Sequence, residues 1–467
     1  MLEKSQKQAQ NALEKSHMID RNIDKVIENH YANNKSALLL TGARQVGKTI
    51  AFRRYAEKIG MELVEINFHE DQLAKNIFIG AQNAQEVLLR ISAHTRTRLI
   101  PGKTLIFFDE IQKYADVVTW VKFLVDEGSY RYALSGSLLG VELQDIRSMP
   151  VGSLDILDVY PLTLEEFARA IGVSDAVLAS IREAWEQRKP VDEVVHASMM
   201  RVVSLYLLVG GMPAAVQTYI DTNDMQAVRG KQEEILKLYH WDIAQYDPDN
   251  KLYLDEIFDL IPTELNAKNK RFILKDLNEH RMFARHENGF IWLKDAGVAL
   301  PTYNVEEPRV PLKLSELRNL FKLFQNDVGL LAAQYAQEIA MQILTGDVNI
   351  NYGAIYENFV AQELQAHGWA LRYFNSKKQG EVDFVIEEGT KVLPIEVKSG
   401  KDYQRHSALT NLLTNKEYGI SEALVLNNEN TKQKGNVLYA PIYMTMFVEK
   451  KRAVGETKYV LDMEGLR

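Results

Sequence analysis

Apolar runs and helical spacings alternate along the first third of the chain. The runs around 38–40 and 105–108 are continuously apolar, which is typical of strands buried on both faces of a parallel sheet. Segments with helical spacing separate the runs, so the pattern predicts an α/β sheet with mainly parallel pairing. The predicted strands cover 36–40, 62–68, 103–110, 130–137 and 154–159, and the predicted helices run from the first strand's loop to about Lys58, over 84–95, and through Trp120 and Leu124.

From Pro161 onward the apolar spacing becomes helical. Thr163 followed by Glu166 fits a capping box at a helix start. A Gly-Gly-Met-Pro sequence at 210–213 interrupts the helices and predicts a turn. Residues 251–306 combine helical spacing with a β-rich stretch over 281–292. That order is compatible with a winged helix, although many helical bundles would give the same pattern.

The pattern changes once more near Asp347. A helix predicted over 354–367 is followed by three predicted strands, at 370–374, 380–386 and 392–398. The chain is 467 residues long, which is too long for one ordinary core. We therefore predict N-terminal helices over 1–35, an α/β core over 36–165, a helical region over 166–250, a winged-helix-like region over 251–345 and a last domain over 346–467.

The amino-acid composition limits the class of protein and the cellular compartment that we expect. Hydrophobic residues make up 46% of the chain and charged residues 25%, as in soluble globular proteins. There is no cysteine, which excludes disulfides, Cys-ligated metal sites and a thiol nucleophile. The net charge of −8 excludes a wholly basic nucleic-acid-coating protein but leaves room for a local basic groove. No signal peptide or membrane-spanning run is predicted, so we expect a cytoplasmic protein without a membrane partner.

The loop after the first strand matches a phosphate-binding pattern. Residues 42–49 read Gly-Ala-Arg-Gln-Val-Gly-Lys-Thr, which is the Walker A spacing G-x-x-x-x-G-K-[ST]. Such a loop turns its N–H groups inward at a helix N-terminus, while the lysine reaches the β- and γ-phosphates. The threonine hydroxyl can bind Mg²⁺. The alternative is a chance glycine loop, but the strand before it and the helix after it favour ATP. The predicted nucleotide-binding residues are Gly42, Ala43, Arg44, Gln45, Val46, Gly47, Lys48, Thr49 and Ile50.

Acidic and polar residues end two other predicted strands. Asp109 and Glu110 follow an apolar run, and ligands of parallel sheets bind beyond the carboxyl ends of the strands. We predict that Asp109 helps Thr49 to hold Mg²⁺ and that Glu110 polarises the attacking water, as catalytic residues beside Lys48. Taken alone, the pair would be an ordinary acidic strand end. Ser135 and Ser137 are both candidates for a residue near the γ-phosphate, and either could instead be a capping serine.

The last domain carries a second candidate site. Glu396 and Lys398 are two residues apart on a predicted strand, so they project to the same face. Asp383 lies on the preceding strand, and Glu357 lies on the predicted helix. Carboxylates beside a lysine suit an Mg²⁺- or Mn²⁺-dependent nuclease. The alternative is a solvated strand face, and the residues leave open whether the cluster is catalytic.

Together these motifs resemble those of a known family. The chain resembles prokaryotic AAA-type ATPases that carry a C-terminal domain of unknown function, itself similar to PD-(D/E)XK nucleases. The resemblance covers most of the chain. It rests on segments 42–49, 108–112, 135–137, 159–162, 210–213, 292–297, 321–324, 327–330, 356–360, 381–384 and 396–398.

The resemblance implies an α/β fold: an ASCE-type P-loop NTPase core, a winged-helix-like middle and a restriction-endonuclease-like C-terminal domain. One position departs from the family. Where the family commonly has a basic residue before the last core strand, this chain has Gly152 and Ser153, which puts an arginine finger there in doubt. Arg131 and Arg147 are the remaining candidates.

We therefore expect an Mg²⁺-dependent ATPase coupled to a nuclease-like, DNA-interacting domain. One alternative is a nucleotide-controlled switch whose C-terminal fold only binds a partner. The other is a nuclease in which ATP gates access. ATP and DNA are the expected partners, and assembly into a homo-oligomer is left open.

Overall fold

A computed structural model describes residues 19–137, 152–246, 251–267, 292–336, 342–343 and 353–450. The predicted β-rich stretch over 281–292 lies almost wholly outside these residues, and so do Arg147 and the first 18 residues.

The first sheet has five parallel strands in the order β2-β3-β4-β1-β5. Its residues alternate between two cores: Leu38, Leu40 and Phe107 pack on one face, and Leu39 and Phe108 on the other. Both faces are therefore buried, as the continuous apolar runs predict. The strands are β1 (Ala37–Thr41), β2 (Glu62–Asn67), β3 (Thr104–Asp109), β4 (Arg131–Ser135) and β5 (Leu154–Asp158).

Helices connect and cover these strands. They begin and end close to the predicted positions, and the helix predicted over 84–95 has those bounds. Because every strand is parallel, the carboxyl ends of β1, β3 and β4 meet at one edge of the sheet. The helices are α1 (Asn22–Asn33), α2 (Lys48–Ile59), α3 (Ala84–Thr95) and α4 (Val117–Glu127).

A helical segment follows the first sheet. The predicted capping box begins its first helix, where Thr163 Oγ1 accepts from the Glu166 amide and Glu166 accepts from the Thr163 amide at 2.9 Å. The predicted turn at 210–213 separates two further helices. The helices are α5 (Leu164–Ala170), α6 (Asp175–Glu186), α7 (Glu193–Val209), α8 (Pro213–Thr222), α9 (Met225–Tyr246) and α10 (Lys251–Asn266).

Within the described ranges, no single helix has the length and apolar content to cross a bilayer. Helices α7 and α8 meet those criteria as a pair that is bent by 119°.

Two more sheets follow. One has the order β7-β6-β8-β9 and the other the order β10-β11-β12-β14-β13. The strand predicted over 380–386 is in fact two strands, because the chain breaks at Asp383 and passes from one sheet to the other. The strands are β6 (Ala299–Val305), β7 (Glu316–Gln325), β8 (Arg372–Ser376), β9 (Gly380–Val382), β10 (Phe384–Glu388), β11 (Lys391–Val397), β12 (Ala423–Asn427), β13 (Lys432–Lys434) and β14 (Val437–Pro441), with helices α11 (Val328–Ala333), α12 (Gly353–Ala366) and α13 (Ser407–Thr414).

The sheet pairing contradicts the domain boundary predicted between residues 345 and 346. Strand β6 pairs in parallel with β8, so that Asn304 lies opposite Tyr373 in one continuous sheet. Strand pairing between segments so far apart leaves no local trace in the sequence. Strands β6 and β7, which lie within the range predicted to be winged-helix-like, therefore belong to a sheet that includes strands of the C-terminal part.

Buried polar contacts join helix α12 to the first half of the chain. Glu363 is fully buried, and one of its carboxylate oxygens accepts from the Leu164 amide at the start of α5, at 2.8 Å. Gln362 donates to Tyr206 Oη at 2.8 Å and to Asp327 at 3.3 Å. Asp327 in turn accepts from the Gly211 amide at 2.6 Å. Helix α12 therefore contacts the helical segment directly, through buried hydrogen bonds.

Gly210 lies at the centre of this contact. It has a φ of 73°, and a Cβ at this position would overlap the Asp327 carboxylate. The predicted turn is thus also the place where α7 meets α11.

Glu363 makes stability depend on pH. Burial raises the pKa of Glu363 to about 8, and the nearby carboxylates of Glu166 and Glu165 add to the rise. The hydrogen bond from the Leu164 amide acts in the opposite direction. The folded protein therefore binds a proton that the unfolded chain releases near its ordinary pKa of about 4.3. This contribution is fully present below the unfolded pKa and is lost as the pH rises through about 8.

We expect Glu363→Gln to flatten the fall in stability between pH 6 and 9, by roughly 2–3 kcal/mol relative to wild type. The amide imitates the protonated acid and cannot ionise. Urea unfolding at several pH values measures the effect, and Glu186→Gln, at an exposed position of α6, is the matched control. Equal pH slopes in wild type and Glu363→Gln would contradict the assignment.

Candidate functional site

The phosphate loop joins β1 to α2, and its two glycines hold conformations that strain other residues. Gly42 has a φ of 130°, and a Cβ there would overlap the Val159 carbonyl oxygen. Gly47 has a φ of 97° directly before the first turn of α2. Glycine adopts positive φ at little cost. The loop therefore lies between strand and helix, in the order that the sequence predicts.

Lys48 is folded back onto the loop. Its Nζ donates to the carbonyl oxygens of Gly42 at 3.0 Å and of Ala43 at 2.7 Å. Burial lowers the pKa of Lys48 to about 8, while Glu110 and Asp109 oppose that change. The ammonium of Lys48 therefore donates to loop carbonyl oxygens, and the phosphate oxygens of a nucleotide can take their place.

Asp109 is the centre of the polar edge of the sheet. Its carboxylate accepts from Thr49 Oγ1 at 3.1 and 3.3 Å, from Asn67 Nδ2 at 3.3 Å and from Ser135 Oγ. Burial raises the pKa of Asp109, and the Ser135 hydroxyl opposes the rise. Carboxylate and hydroxyl oxygens are the ligands that Mg²⁺ prefers, so Thr49 and Asp109 fit this ion.

Glu110 follows in a left-handed conformation, with a φ of 54°. This is an uncommon conformation for a residue with a side chain, and such positions are concentrated at functional sites. Gln112 Nε2 donates both to the Glu110 carboxylate and to Ser137 Oγ, the latter at 3.0 Å. The two candidate serines therefore have different partners: Ser135 binds Asp109, and Ser137 reaches Glu110 through Gln112.

The other predicted loop residues surround this centre. Gln45 has a φ of 64°, Ala43 and Val46 are buried, and Ile50 is half exposed in the first turn of α2. Arg44 pairs with Asp242 of α9 at 2.9 Å.

Of the arginine candidates, Arg131 lies within the described residues, and it does not reach this edge of the sheet. Arg131 begins β4, at the amino end of the strand, and donates to Tyr55 Oη at 2.6 Å. Ser153 is also at the amino edge, where its carbonyl oxygen accepts from the Ala37 amide at 2.9 Å. Arg131 is therefore unsuited to contact a nucleotide in its own chain.

The four predicted residues of the C-terminal site lie close together. Lys398 directly follows the end of β11, and its Nζ is 2.7 Å from Glu396 Oε1, so the two side chains contact each other. Asp383 accepts from the Val397 amide at 2.9 Å. Burial raises the pKa of Glu396 to about 8, and the nearby carboxylates of Asp383 and Glu357 add to the rise. The solvated-face alternative is wrong, because Glu396 is buried.

Sequence reasoning missed the cation in this cluster. Lys322 of β7 is fully buried, with its Nζ 2.7 Å from Glu381, 3.6 Å from Glu357 and 3.9 Å from Asp383. Burial disfavours its charge, but the three carboxylates outweigh burial and raise the pKa of Lys322 above its usual value. Across the described residues, no three His, Asp or Glu side chains are placed to share a metal ion. The second metal site expected here therefore has no support.

Comparisons with known families divide the chain into three matched regions. Residues 34–168 match an AAA domain, AAA_14. Residues 200–339 and 352–444 match two domains of unknown function, DUF8612 and DUF4143. A comparison with curated proteins found no match.

Two solved structures are distantly similar to this chain. The Walker-type ATPase PABY2304 of Pyrococcus abyssi is 14% identical, with 68% of this chain and 96% of that one covered and a TM-score of 0.43. The ORC1 protein of Aeropyrum pernix, solved in complex with DNA, is 16% identical, with 67% and 87% covered and a TM-score of 0.24. The assignment therefore rests on the matched AAA domain and on the loop geometry.

The chain contains an AAA-type P-loop ATPase domain. The ATPase domain is contacted at its loop by residues that sequence reasoning did not single out. Arg21, before α1, donates to the Val46 carbonyl oxygen at 3.1 Å, and Asp242 pairs with Arg44. Neither residue stands in a motif, so no local signal could have found them. Gly297 also lies against Ala43, where a Cβ would meet the Ala43 nitrogen at 2.9 Å, and it belongs to the segment 292–297 quoted for the resemblance.

The two serines of the ATPase domain should have separable effects. We expect Ser135→Ala to raise the Mg²⁺ concentration needed for half-maximal ATP hydrolysis by about 10-fold, because Asp109 loses a fixed donor. Ser137→Ala should lower the rate at saturating Mg²⁺ and leave the Mg²⁺ requirement unchanged. Steady-state ATPase assays at varied Mg²⁺ measure both effects. Identical Mg²⁺ dependence in the two variants would contradict the distinction.

Proposed function

We propose that the protein is an Mg²⁺-dependent ATPase whose nucleotide state is coupled to a nuclease-like, DNA-interacting C-terminal domain. The observation that carries the ATPase proposal is the convergence of Lys48, Thr49 and Asp109 at one edge of the parallel sheet. Phosphoryl transfer depends mostly on positioning and charge neutralisation, and this edge supplies both.

Each residue has a distinct task in this proposal. Lys48 exchanges its bonds to the loop carbonyl oxygens for bonds to the β- and γ-phosphates, while the amides of residues 42–50 cradle the phosphate oxygens. Thr49 and Asp109 hold Mg²⁺, which neutralises phosphate charge when bound. Glu110 orients the attacking water, and Gln112 fixes the Glu110 carboxylate in place.

Coupling is supported by contacts on both sides of the nucleotide site. Asp242 of α9 pairs with Arg44 in the loop itself. Glu363 of α12 caps α5, only a few residues after the Val159 carbonyl that packs on Gly42. A change at the loop is thus passed to the C-terminal part through packed side chains and hydrogen bonds.

The order of elements in the C-terminal part supports its nuclease-like character. Helix α12 is followed by β8 to β11, then α13 and β12, and the carboxylates and Lys398 lie together on this frame. The exposed cations nearby would suit a phosphate backbone. They are Lys377, Lys378, Lys401 and Arg405.

A second candidate function is an ATP-controlled switch whose C-terminal domain binds a partner without cleaving it. Lys322 favours this candidate, because its ammonium already pairs with the acids that a nuclease would use for metal.

Two substitutions test the ATPase proposal. We expect Lys48→Ala to weaken ATP binding by roughly 10- to 100-fold, because the phosphates lose a charge-assisted partner. Glu110→Gln should retain ATP binding but hydrolyse ATP at least about 100-fold more slowly. Titration calorimetry and phosphate release separate the two effects. Lys58→Ala, an exposed position on α2, is the matched control. Wild-type turnover in Glu110→Gln would reject Glu110 as the catalytic carboxylate.

DNA binding and cleavage, measured with and without ATP and Mn²⁺, separate the two candidate functions. Metal-dependent cleavage would support the nuclease, and ATP-dependent DNA binding without cleavage would support the switch. Absence of any effect of ATP on the C-terminal activity would contradict the proposed coupling.

A further inference from the structure

Lys322 is the most deeply buried cation in the C-terminal carboxylate cluster, which we define as Glu357, Glu381, Asp383 and Glu396. Its side chain is fully buried, and its neighbours along β7 are the apolar residues Phe321 and Leu323. The ammonium is 2.7 Å from Glu381 Oε1 and 5.0 Å from the centre of the Tyr373 ring, so a carboxylate and an aromatic face both contact it.

A buried ammonium is costly unless carboxylates surround it. Three acids do so here, and each comes from a different element: Glu357 from α12, Glu381 from β9, and Asp383 from the break before β10. Without Lys322 these acids would repel one another. The other lysine beside the cluster, Lys398, is paired with Glu396.

A divalent metal would have to use the same carboxylate oxygens. Mg²⁺ needs oxygen ligands at about 2.0–2.1 Å, which requires the acids to converge on one point. The part of the chain that the structure describes holds no three acids placed in that way. Instead the carboxylates are spaced around the larger ammonium, at 2.7–3.9 Å from its nitrogen.

We propose that the Lys322 ammonium is the resident cation of the carboxylate cluster and takes the place of a divalent metal. The cluster of the wild-type protein then binds no Mg²⁺ or Mn²⁺, and removal of the lysine charge converts it into a metal site. Glu396 Oε2, buried and with no hydrogen-bond partner among the described residues, offers such a site a further ligand. The inference rests on the proposed nuclease-like domain, but its test uses neither nucleotide nor DNA, so the two can fail separately.

The test is thermal unfolding of the full-length protein in nucleotide-free, metal-free buffer, with and without millimolar Mn²⁺. We expect the melting temperature of wild type to be unchanged by Mn²⁺. Lys322→Met should melt lower without metal and gain about 5 °C with Mn²⁺, because a ligand that binds only the folded state stabilises it. The gain should disappear in Lys322→Met combined with Asp383→Asn.

Lys398→Met is the matched control, because it also removes a lysine bound to the cluster but leaves Lys322 in place. It should show no Mn²⁺ response. A Mn²⁺-induced rise in wild type that Asp383→Asn abolishes would overturn the proposal, and so would a folded Lys322→Met protein that does not respond to Mn²⁺.

The proposal stays testable if Lys322→Met does not fold without metal. We then expect either Mn²⁺ during refolding or the added changes Glu357→Gln and Glu381→Gln to restore a cooperative melt, since both relieve the same repulsion. Failure of both treatments would show that Lys322 has another role and would overturn the proposal.

Discussion

The guanidinium of Arg21 holds the phosphate loop against the rest of the molecule. It donates to the Val46 carbonyl oxygen at 3.1 Å, to the Tyr160 carbonyl oxygen at 2.7 Å and to Glu166 at 3.0 Å. Glu166 also accepts from the Asn22 amide at 2.6 Å. Arginine suits this junction because its planar group offers several donors in fixed directions. The segment before the sheet, the loop and the start of α5 are thereby fixed to one another.

The C-terminal part of the chain adds to this junction. Glu363 accepts from the first amide of α5, the helix that carries Glu166 in its first turn. The main hydrophobic core runs without a break from Leu38 through Tyr206 to Phe359 and Tyr443. The ATPase domain therefore shares part of its hydrophobic core with the C-terminal part. Its nucleotide site lies in a closely packed part of the molecule. A change in the contacts of the loop would therefore alter the packing of distant elements.

Sequence reasoning predicted what depends on local pattern. The strands of the first sheet, the helix at 84–95 and the capping box at Thr163 follow from apolar spacing and from residues a few positions apart. The contact of Thr49 with Asp109 agrees with the rule that parallel strands end at one edge of a sheet. Contacts between distant segments left no such pattern. The β6–β8 pairing overturned a predicted boundary, and Lys322 resembles an exposed lysine until its three acids are brought around it.

Hydrogen–deuterium exchange can show whether the nucleotide site extends beyond the ATPase domain. The comparison is Glu110→Gln with and without Mg²⁺–ATP, because this variant should hold the nucleotide without turning it over. We expect Mg²⁺–ATP to alter exchange both in the loop and around Asp242 of α9 and Gly297. In Lys48→Ala, Mg²⁺–ATP should alter exchange at neither place. Altered exchange confined to residues 42–50, 109–112 and 135–137 would contradict this expectation.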